Sequence, residues 1–473
     1  MEGLAFLLQQ PRRQLDTWTR RAGRNLDRHL AMLRNRDTYS SPARYQRALL
    51  DINRLIETSI GNGSSHVGLS NYQDSELSPL RSADLCRAAL RPEANPFYPY
   101  FSRRLTELME EEPPGYAGFS LNYLGQALCA FSMLGFLRKN YPRTKIILGG
   151  GLVTSWMRNA LEKPLCGLAD HFIAGPGEVP LLEILGVNVD RQAHYTPSYD
   201  LFPLRDYLSP GIVLPYSGSS GCWWNGCTFC PERAEGNPYL PLPAGRMSED
   251  LALLVKGLNP SLIHFLDNSQ SIEHMRALIK YPPGPPWYAF TRISPELGEQ
   301  DFCRALRRSG CVMLKLGLES GDQGVLDRMN KGTKVEMASR VLLTLKKAGI
   351  ATYVYLLFGT PAETEAAARE TLAFTASHGE SIDFLNLAIF NMPAYGQEAS
   401  QYGTGVFYEG DLSLYRDFKH PQGWDRKRIR QFLAREFKRH PLIAPIIKRD
   451  PPIFGSSHAP FFVPGNRPAR SFP

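Results

Sequence analysis

The sequence predicts an α/β protein in which a Rossmann-like domain precedes a partial (β/α)6 barrel of the TIM type. Between residues 116 and 178, strands and a helix alternate, and the strands end in glycines, which is typical of a doubly wound parallel sheet. From residue 211 onward, six short apolar runs alternate with helical patterns, as in β/α repeats. The 473 residues are too many for one hydrophobic core, so we expect several domains.

We expect five segments along the chain. They are an N-terminal helical segment (1–65), a Rossmann-like domain (66–190), a linker (191–210), the partial barrel (211–400) and a basic C-terminal cap (401–473). The first segment has leucines at helical spacing, with 11 Arg against 6 acidic residues in positions 1–60. The last has 11 Lys and Arg against 4 acidic residues between Arg416 and Asp450. We interpret both basic surfaces as solvated faces, with anion binding as the alternative.

The composition is that of an ordinary globular protein, with 43% hydrophobic and 21% charged residues and a net charge of +8. No apolar run approaches the roughly 18 residues of a membrane span, and no signal-peptide pattern opens the chain. Eight cysteines form no disulfide framework, which predicts a reducing, cytoplasmic location. The five outside the motif described below are expected to be small core residues: Cys86, Cys129, Cys166, Cys303 and Cys311.

The Rossmann-like domain is predicted from strands that end in glycines. The expected elements are a strand at Tyr116–Leu121, a helix at Gly125–Lys139 and strands at Lys145–Leu148 and His171–Ala174. The second strand runs into Gly149-Gly150-Gly151, and the third into Gly175-Pro176-Gly177-Glu178. Ligands bind at the carboxyl ends of such strands, where glycine permits a close approach of the backbone.

The barrel is predicted from six apolar runs. They are Ile212–Pro215, Leu262–Leu266, Trp287–Phe290, Val312–Leu318, Thr352–Phe358 and Phe384–Phe390. Two of the intervening helices have start and stop signals: Thr333-x-x-Glu336 with Gly349, and Thr360-Pro361-Ala362-Glu363 with Gly379. In such barrels the functional residues lie at the carboxyl ends of the strands and in the loops that follow.

Three cysteines follow the first barrel strand. Cys222, Cys227 and Cys230 have the spacing Cys-x4-Cys-x2-Cys, which lets three thiolates reach one metal centre. A structural zinc site normally has a fourth Cys or His, whereas a 4Fe–4S cluster with three cysteines leaves one iron open. The residues favour iron–sulfur, with zinc as the alternative.

The loop Gly221–Glu232, with Phe229 just before the third cysteine, resembles the Cys-x3-Cys-x-aromatic-Cys motif of the radical S-adenosylmethionine (SAM) superfamily. The first gap has one extra residue. The run Lys315–Gly332 is also similar to the fourth-strand region of that family. The resemblance implies that the three cysteines hold a 4Fe–4S cluster, and that SAM binds the open iron and is cleaved to a 5′-deoxyadenosyl radical. It also implies an electron donor such as flavodoxin or ferredoxin.

The same resemblance implies the residues that contact SAM. Phe229 would pack near the adenine, and Glu319 and Ser320 would bind the ribose or the ammonium group. Asp267 and Ser269 stand where the family often has Gly-Gly-Glu for the methionine amine. The remaining candidates are Arg292 for the SAM carboxylate, and Phe358 and Gly359 beside the adenine.

The upstream segment resembles the cobalamin-binding domain of one branch of this superfamily, through Gly118-Phe119-Ser120-Leu121, Ile146–Gly150 and Gly175–Glu178. The implied contacts are Ser120, Leu121, Gly149, Gly150, Gly151, Gly175, Gly177 and Glu178. An Asp-x-His-x-x-Gly motif, which would supply a histidine ligand to cobalt, is absent. Bound cobalamin without that ligand and a domain that has lost its cofactor therefore both remain open.

The architecture implies methylation of an unactivated carbon in a small molecule or natural product. One alternative is radical cyclisation or rearrangement, with or without cobalamin. A remote alternative is a zinc-stabilised nucleic-acid-binding protein. No catalytic residue is assigned. Candidates for substrate contact, by position or polarity only, are Tyr353, Asn386, Asn391, Trp424 and His458.

Overall fold

The computed structural model describes residues 2–9, 16–60, 65–111, 113–160, 165, 167–188, 195–406, 410–453 and 461. The chain packs into two units. One consists of residues 1–26, 51–196 and 405–416, and the other of residues 27–50, 197–404 and 417–473. The five expected segment boundaries remain a prediction. Among the described residues, none of the helices has the length and apolar character that crossing a membrane requires.

The first unit contains a three-stranded parallel sheet, β1 (Tyr116–Ser120), β2 (Lys145–Gly149) and β3 (His171–Phe172), in that order. A helix at Leu124–Asn140 connects β1 to β2, and nine of its 17 residues are buried. The strand–helix–strand prediction for this segment is therefore confirmed to within two residues at each end of every element.

Other helices precede or follow these strands in the sequence. They are Glu2–Gln9, Thr17–Arg24, Leu26–Arg34, Pro42–Glu57, Ser82–Leu90, Tyr98–Glu111, Gly151–Ala160 and Glu178–Ile184, with 3-10 turns at Arg36–Ser40 and Pro92–Ala94. Two short antiparallel strands, Ser65–Val67 and Tyr72–Asp74, pair with each other. The helical character expected of residues 1–60 is present in the described part of that segment.

The second unit contains a six-stranded parallel sheet whose spatial order follows the chain. Its strands are β4 (Val213–Tyr216), β5 (Leu262–Phe265), β6 (Trp287–Thr291), β7 (Cys311–Glu319), β8 (Ala351–Phe358) and β9 (Phe384–Ile389). Every bound lies within one residue of its predicted position. Parallel strands in sequential order, with β4 and β9 at the two edges, are those of the predicted partial barrel.

Six helices accompany the barrel strands: Ala244–Leu258, Ile272–Lys280, Gln300–Arg308, Gln323–Arg328, Val335–Ala348 and Glu365–Ser377. Side chains alternate along β7, so that Leu314 and Leu316 pack in the large core beneath the helices. Met313, the residue before Leu314, instead packs with Tyr288 and Tyr353 in a smaller cluster on the opposite, inner face. This alternation assigns each barrel residue to the helix-covered face or to the interior.

Both predicted helix-start signals in the barrel are wrong. The helix after β7 begins at Val335, whose N–H is capped by Gln323 Oε1 at 2.9 Å, while Thr333 Oγ1 has no partner. The helix after β8 begins at Glu365, with Thr364 as its N-cap. In each case the cap is supplied by a side chain outside the predicted four-residue motif. Gly349, at φ 75°, does end its helix as predicted.

Residues 392–453 complete the described structure. Short strands lie at Met392–Pro393, Thr404–Val406 and Tyr415–Phe418, and helices at Arg426–Phe432 and Ala444–Ile447, with a π-helical turn at Leu433–Phe437. Two further short strands lie earlier in the chain, at Ser219–Ser220 and Leu240–Pro241. The second unit also has 3-10 turns at Leu204–Asp206, Pro295–Gly298, Gly379–Ser381 and Gln397–Ser400. Phe437 is fully buried and its ring lies 5.4 Å from that of Phe358 on β8, so this turn packs on the helix-covered face of the barrel; the role of the whole segment as a cap remains a prediction.

The cysteines outside the motif follow the prediction with one exception. Cys303 and Cys311 are fully buried and Cys129 is half-buried, all with free thiols. Cys86 is half-buried and disulfide-bonded, so its assignment as an unpaired core residue is wrong. Isolated cysteines in a sequence do not reveal which distant segments the fold brings together. Cys166 lies outside the described residues.

Candidate active site

The three-cysteine loop follows β4, at the carboxyl end of the barrel strands. Two of its residues have positive φ, Gly221 at 73° and Asn225 at 44°. A Cβ on Gly221 would lie 2.2 Å from the carbonyl oxygen of Pro238, so only glycine fits there. Gly226 O accepts hydrogen bonds from Arg233 and from Asn330, both at 2.9 Å. The loop is thus tied to the segment that follows β7.

The cysteines themselves are at least half-buried. Cys227 is buried, whereas Cys222 and Cys230 are half-buried. Burial raises the pKa of the Cys230 thiol, and the backbone N–H groups of Arg233 and Glu232 act in the opposite direction. Cys230 is the N-cap of the helix Pro231–Ala234, where N–H groups stabilise a thiolate.

A zinc site and a 4Fe–4S cluster require different arrangements of ligands. Within the described ranges, no three or more His, Cys, Asp or Glu side chains lie together in an arrangement that could hold a metal ion. A zinc site needs four ligands around one point, whereas each thiolate of a 4Fe–4S cluster binds its own iron. The three thiols on this loop are the kind of donor that such a cluster takes, and their binding of it remains a prediction.

Arg292, just after β6, lies against the cysteine loop. Its NH1 donates to Cys227 Sγ at 3.6 Å, and its NH2 donates to the carbonyl oxygen of Lys331. The guanidinium lies 4.4 Å from the ring centroid of Trp224 and 5.6 Å from that of Trp223. A buried cation is thus held beside Cys227 by the two indole rings and the Lys331 carbonyl. The predicted contact of Arg292 with a SAM carboxylate remains a prediction.

Glu319, at the end of β7, forms a buried ion pair. Lys331 Nζ lies 2.9 Å from Glu319 Oε1, with side-chain exposures of 5% and 11%. Gly317 makes room for this pair, because a Cβ there would lie 2.9 Å from each of the two charged atoms. Lys331 Nζ is also 5.6 Å from the ring of Phe229. Lys331 therefore connects Glu319 and Phe229. It lies within the run Lys315–Gly332, but the sequence pattern did not identify it as a site residue.

Asp267 and Ser269 both bind the loop that follows β4. Asp267 accepts from the Ser219 hydroxyl at 2.5 Å and from the Gly218 N–H at 3.0 Å, so both of its oxygens are used. Ser269 Oγ accepts from Trp223 Nε1 at 3.0 Å. These residues connect the ends of two neighbouring strands and fix the position of the cysteine loop. Whether they also bind the methionine amine remains a prediction.

The other residues predicted to contact SAM have different surroundings. Ser320 is fully buried and pairs with the Thr371 hydroxyl at 3.1 Å. Phe358 belongs to the core on the helix-covered face, so its ring points away from the barrel interior. Gly359, at φ 84°, donates its N–H to Glu363 Oε2 at 2.6 Å.

Glu363 was not identified from the sequence. Its side chain is 1% exposed, and Oε2 also accepts from Trp424 Nε1 at 2.9 Å, while Oε1 has no hydrogen-bond partner among the described residues. Burial raises the pKa of Glu363 to about 7. Its neighbours Thr360 and Ala362 line a cavity of about 340 Å³ that extends to Phe229. Only the position of Glu363 after a barrel strand could have drawn attention to it.

The predicted substrate candidates are only partly brought together. Tyr353 and Asn386 meet on the inner face, where Asn386 Nδ2 donates to the Tyr353 hydroxyl at 3.4 Å. Asn391 instead accepts from Arg426 at 2.8 Å, and Trp424 is buried against Glu363. His458 lies outside the described residues.

In the first unit, the glycine after β2 has a structural explanation. Gly150 has φ 101°, and a Cβ there would lie 2.4 Å from the Leu121 carbonyl oxygen. Leu121 is buried and its N–H donates to Gly149 O at 2.8 Å. The two strand ends therefore approach each other so closely that glycine is required whether or not a cofactor binds.

The remaining candidates for cobalamin contact lie at the same edge of the sheet. Ser120 is exposed and accepts from Asn122 Nδ2 at 3.2 Å, while Asn122 Oδ1 accepts from the Gly151 N–H at 2.9 Å. No atom lies within 4 Å of a Cβ built on Gly175, and Gly177 is the N-cap of the helix that begins at Glu178. An exposed, glycine-lined edge fits a flat group. Its binding by these residues remains a prediction.

The comparison with known proteins agrees with this geometry. The sequence model of the Radical SAM superfamily matches residues 216–375, from the end of β4 to the helix after β8. An uncharacterized methyltransferase of Pyrococcus horikoshii is 27% identical over 186 residues, which are 38% of this chain and 40% of the relative. An anaerobic magnesium-protoporphyrin IX monomethyl ester cyclase of Rubrivivax gelatinosus is 25% identical over 209 residues, 42% of this chain and 36% of the relative. The chain spans less than half the length of these two relatives.

One similar solved structure is that of the radical S-adenosylmethionine methyltransferase TsrM of Kitasatospora setae, with cobalamin and a [4Fe-4S] cluster bound. It has a TM-score of 0.52 and 17% sequence identity, over 75% of this chain and 82% of that chain. At this identity the likeness concerns the fold. Residues 216–375, with the cysteine loop and most of the partial barrel, therefore match the Radical SAM superfamily, and the fold of the chain is similar to that of TsrM.

Proposed function

We propose that this protein is a radical SAM enzyme that uses cobalamin to methylate an unactivated carbon of a small molecule. The observation that carries the proposal is the cysteine loop at the carboxyl end of β4, with Arg292 donating to Cys227. A 4Fe–4S cluster with SAM supplies a 5′-deoxyadenosyl radical, and cobalamin supplies a methyl group to be transferred.

The residues of the chain would position and shield these groups. Cys222, Cys227 and Cys230 would each bind one iron, and Arg292 would help to position Cys227 through its hydrogen bond to the sulfur. Glu319, at the end of β7, would accept hydrogen bonds from SAM after an exchange with its present partner Lys331. The inner face of the barrel would exclude water from the radical.

Cobalamin would be held by the first unit, at the carboxyl ends of β1, β2 and β3. The exposed Ser120 and the open space at Gly175 support this position. The sequence has no Asp-x-His-x-x-Gly motif, so the proposed corrin ring would have no histidine ligand from that motif. The names of the methyltransferase from Pyrococcus horikoshii and of TsrM support methylation.

Three further points belong to the proposal. We infer a single-electron donor such as flavodoxin or ferredoxin, because reductive cleavage of SAM consumes one electron. A second candidate function is radical ring closure, favoured by the similarity to the cyclase of Rubrivivax gelatinosus. We also infer that the enzyme acts in the cytoplasm, where an iron–sulfur cluster is kept reduced.

Anaerobic reconstitution with iron and sulfide, followed by spectroscopy, tests the proposal. Wild-type protein should give the broad visible absorption of a 4Fe–4S cluster and form 5′-deoxyadenosine from SAM under reduction. Added hydroxocobalamin should co-purify with the protein and show corrinoid bands. A methylated product labelled from deuterated SAM would distinguish methylation from ring closure.

A matched pair of cysteine variants makes the test specific. Cys227→Ala should lose the cluster and the formation of 5′-deoxyadenosine, whereas Cys129→Ala, outside the loop, should retain both. An unchanged cluster in Cys227→Ala would show that the ligand assignment is wrong. A colourless protein that binds zinc in its place would overturn the radical SAM function.

A further inference from the structure

The inner face of the barrel carries a lysine on its fourth strand. Lys315 lies on β7 between Leu314 and Leu316, which both pack into the helix-covered core. By the alternation of side chains along a strand, Lys315 therefore points into the barrel. Its side chain is 6% exposed. A buried ammonium group at this position needs an explanation, because an apolar residue would fill the space at lower cost.

Among the described residues, Lys315 has no ion-pair partner. Its Nζ lies 5.2 Å from the centroid of the Tyr288 ring. Within the part of the chain that the structure describes, Lys315 Nζ neither forms a salt bridge nor donates a hydrogen bond. The buried carboxylate of Glu319, further along the same strand, is paired with Lys331. A buried cation without a paired anion is expected at a site that binds an anionic ligand.

Two further polar groups lie beside this lysine. His264 on β5 stacks on the Tyr288 ring at 4.2 Å and 12°. Burial, together with the charge of Lys315, lowers the pKa of His264 to about 3, so the imidazole is neutral. Neither the imidazole of His264 nor the hydroxyl of Tyr288 has a hydrogen-bond partner among the described residues. An ammonium, an imidazole and a phenol thus share one region of the interior with unused hydrogen-bonding capacity.

The surrounding wall is aromatic and is not fully filled. Phe290 on β6 meets Tyr355 on β8 edge to face at 5.1 Å, and Tyr355 lies 4.7 Å from Tyr353. Phe290 and Tyr355 are only half-buried, as is Asn386 on β9. Side chains in a packed barrel interior would be buried, so the exposure of this face indicates room for a ligand. Aromatic walls suit an apolar or planar molecule.

We propose that Lys315, Tyr288 and His264 bind the carboxylate of an acidic, partly apolar substrate inside the barrel. A single cation with two neutral polar neighbours matches one negative charge, and rings on the other strands contact the rest of the molecule. The proposal rests on the proposed function only in identifying the bound acid as the substrate. The bound acid would have its carboxylate at Lys315 and extend toward the carboxyl ends of the strands.

The charged and titratable groups that face this site come from four strands. They are His264 on β5, Tyr288 on β6, Glu319 on β7 itself, and Tyr353 and Tyr355 on β8. Burial raises the pKa of each of the three tyrosines, so all of them are neutral hydroxyl donors near pH 7. Asp450, which lies outside the strands, is close enough to Tyr353 for its charge to raise the pKa of that tyrosine. With Glu319 paired, the ammonium of Lys315 is the one unbalanced charge among these strand residues.

Direct binding to the full chain after reconstitution tests the proposal without any need for turnover. Calorimetry would compare indole-3-acetate and 4-hydroxybenzoate with their uncharged amides and with inorganic phosphate. Both acids should bind, and each amide should bind at least about tenfold more weakly, because hydrogen bonds to charged groups contribute most. Lys315→Met should reduce the affinity for the acids by a similar factor, and Tyr288→Phe should reduce it less.

Controls separate this proposal from the proposed function. Lys347→Met, which removes an exposed lysine from the outer helix, should bind the acids as the wild type does. Wild-type protein that binds neither acid, amides that bind as tightly as acids, or Lys315→Met with unchanged affinity would each overturn the proposal. Phosphate binding at equal strength would also do so, because the site would then be a general anion site. These results are independent of the cluster spectrum that tests the radical SAM function.

Discussion

Replacing Lys315 by methionine should stabilise the protein, although most changes in a buried core destabilise it. Burial lowers the pKa of Lys315 from 10.5 to about 8. One pKa unit corresponds to 1.36 kcal/mol, so the desolvation of this ammonium costs the folded state about 3 kcal/mol at neutral pH. The side chain is 6% exposed, so this cost is not reduced by solvent screening. Methionine keeps the length of the side chain and removes the charge.

The sign of the pH dependence follows from the lowered pKa. Below pH 8 the lysine is protonated in both folded and unfolded states, and the whole cost is present. Between pH 8 and 10.5 the folded state loses the proton first, so the stability of the wild type rises with pH. The advantage of Lys315→Met should therefore be largest below pH 8 and should shrink toward zero above it.

Thermal unfolding followed by fluorescence across this pH range measures the effect. A gain of about 3 kcal/mol would raise the melting temperature of a unit of this size by several degrees. Lys347→Met, at an exposed position, should change it little at any pH. A melting temperature of Lys315→Met below that of the wild type at pH 7 would refute the reasoning, because the lysine would then have a stabilising partner.

Three other changes have definite expected outcomes. Glu363→Gln should stabilise the protein above pH 7, because burial raises the pKa of this carboxyl to about 7 and its charged form is unfavourable there; the gain should vanish toward pH 4.5 in denaturant titrations. Lys331→Met should cost about 3–5 kcal/mol by leaving Glu319 buried and unpaired, and an unchanged unfolding midpoint would contradict this. Gly150→Ala should destabilise the first unit, visible as faster proteolysis there, because its Cβ would meet the backbone of Leu121.

The barrel strands could be predicted from the sequence because each is a short apolar run between helical patterns. The bounds of β4 to β9 agree with the predictions to within one residue. The cysteine loop could also be predicted, since its spacing is local and its place after β4 follows from strand order. Both features depend on residues that are close in sequence.

The contacts around the loop could not be predicted, because they join distant residues. Lys331 reaches Glu319 across 12 positions, and Trp424 reaches Glu363 across 61. The capping prediction at Thr333 is wrong for the same reason, since a side chain from the preceding helix, that of Gln323, caps Val335. Local patterns compete with tertiary partners, and burial decides between them.

The position of Lys315 along its strand has a consequence for substrate choice. Lys315 and Glu319 are four residues apart on β7, which corresponds to about 13 Å along a strand. An acid bound at Lys315 would therefore present to the end of the barrel whichever carbon lies about that far from its carboxylate. Selection would then depend on the length of the molecule as well as its charge. A homologous series of acids would react at a constant distance from the carboxylate, and shortening the chain would abolish the reaction.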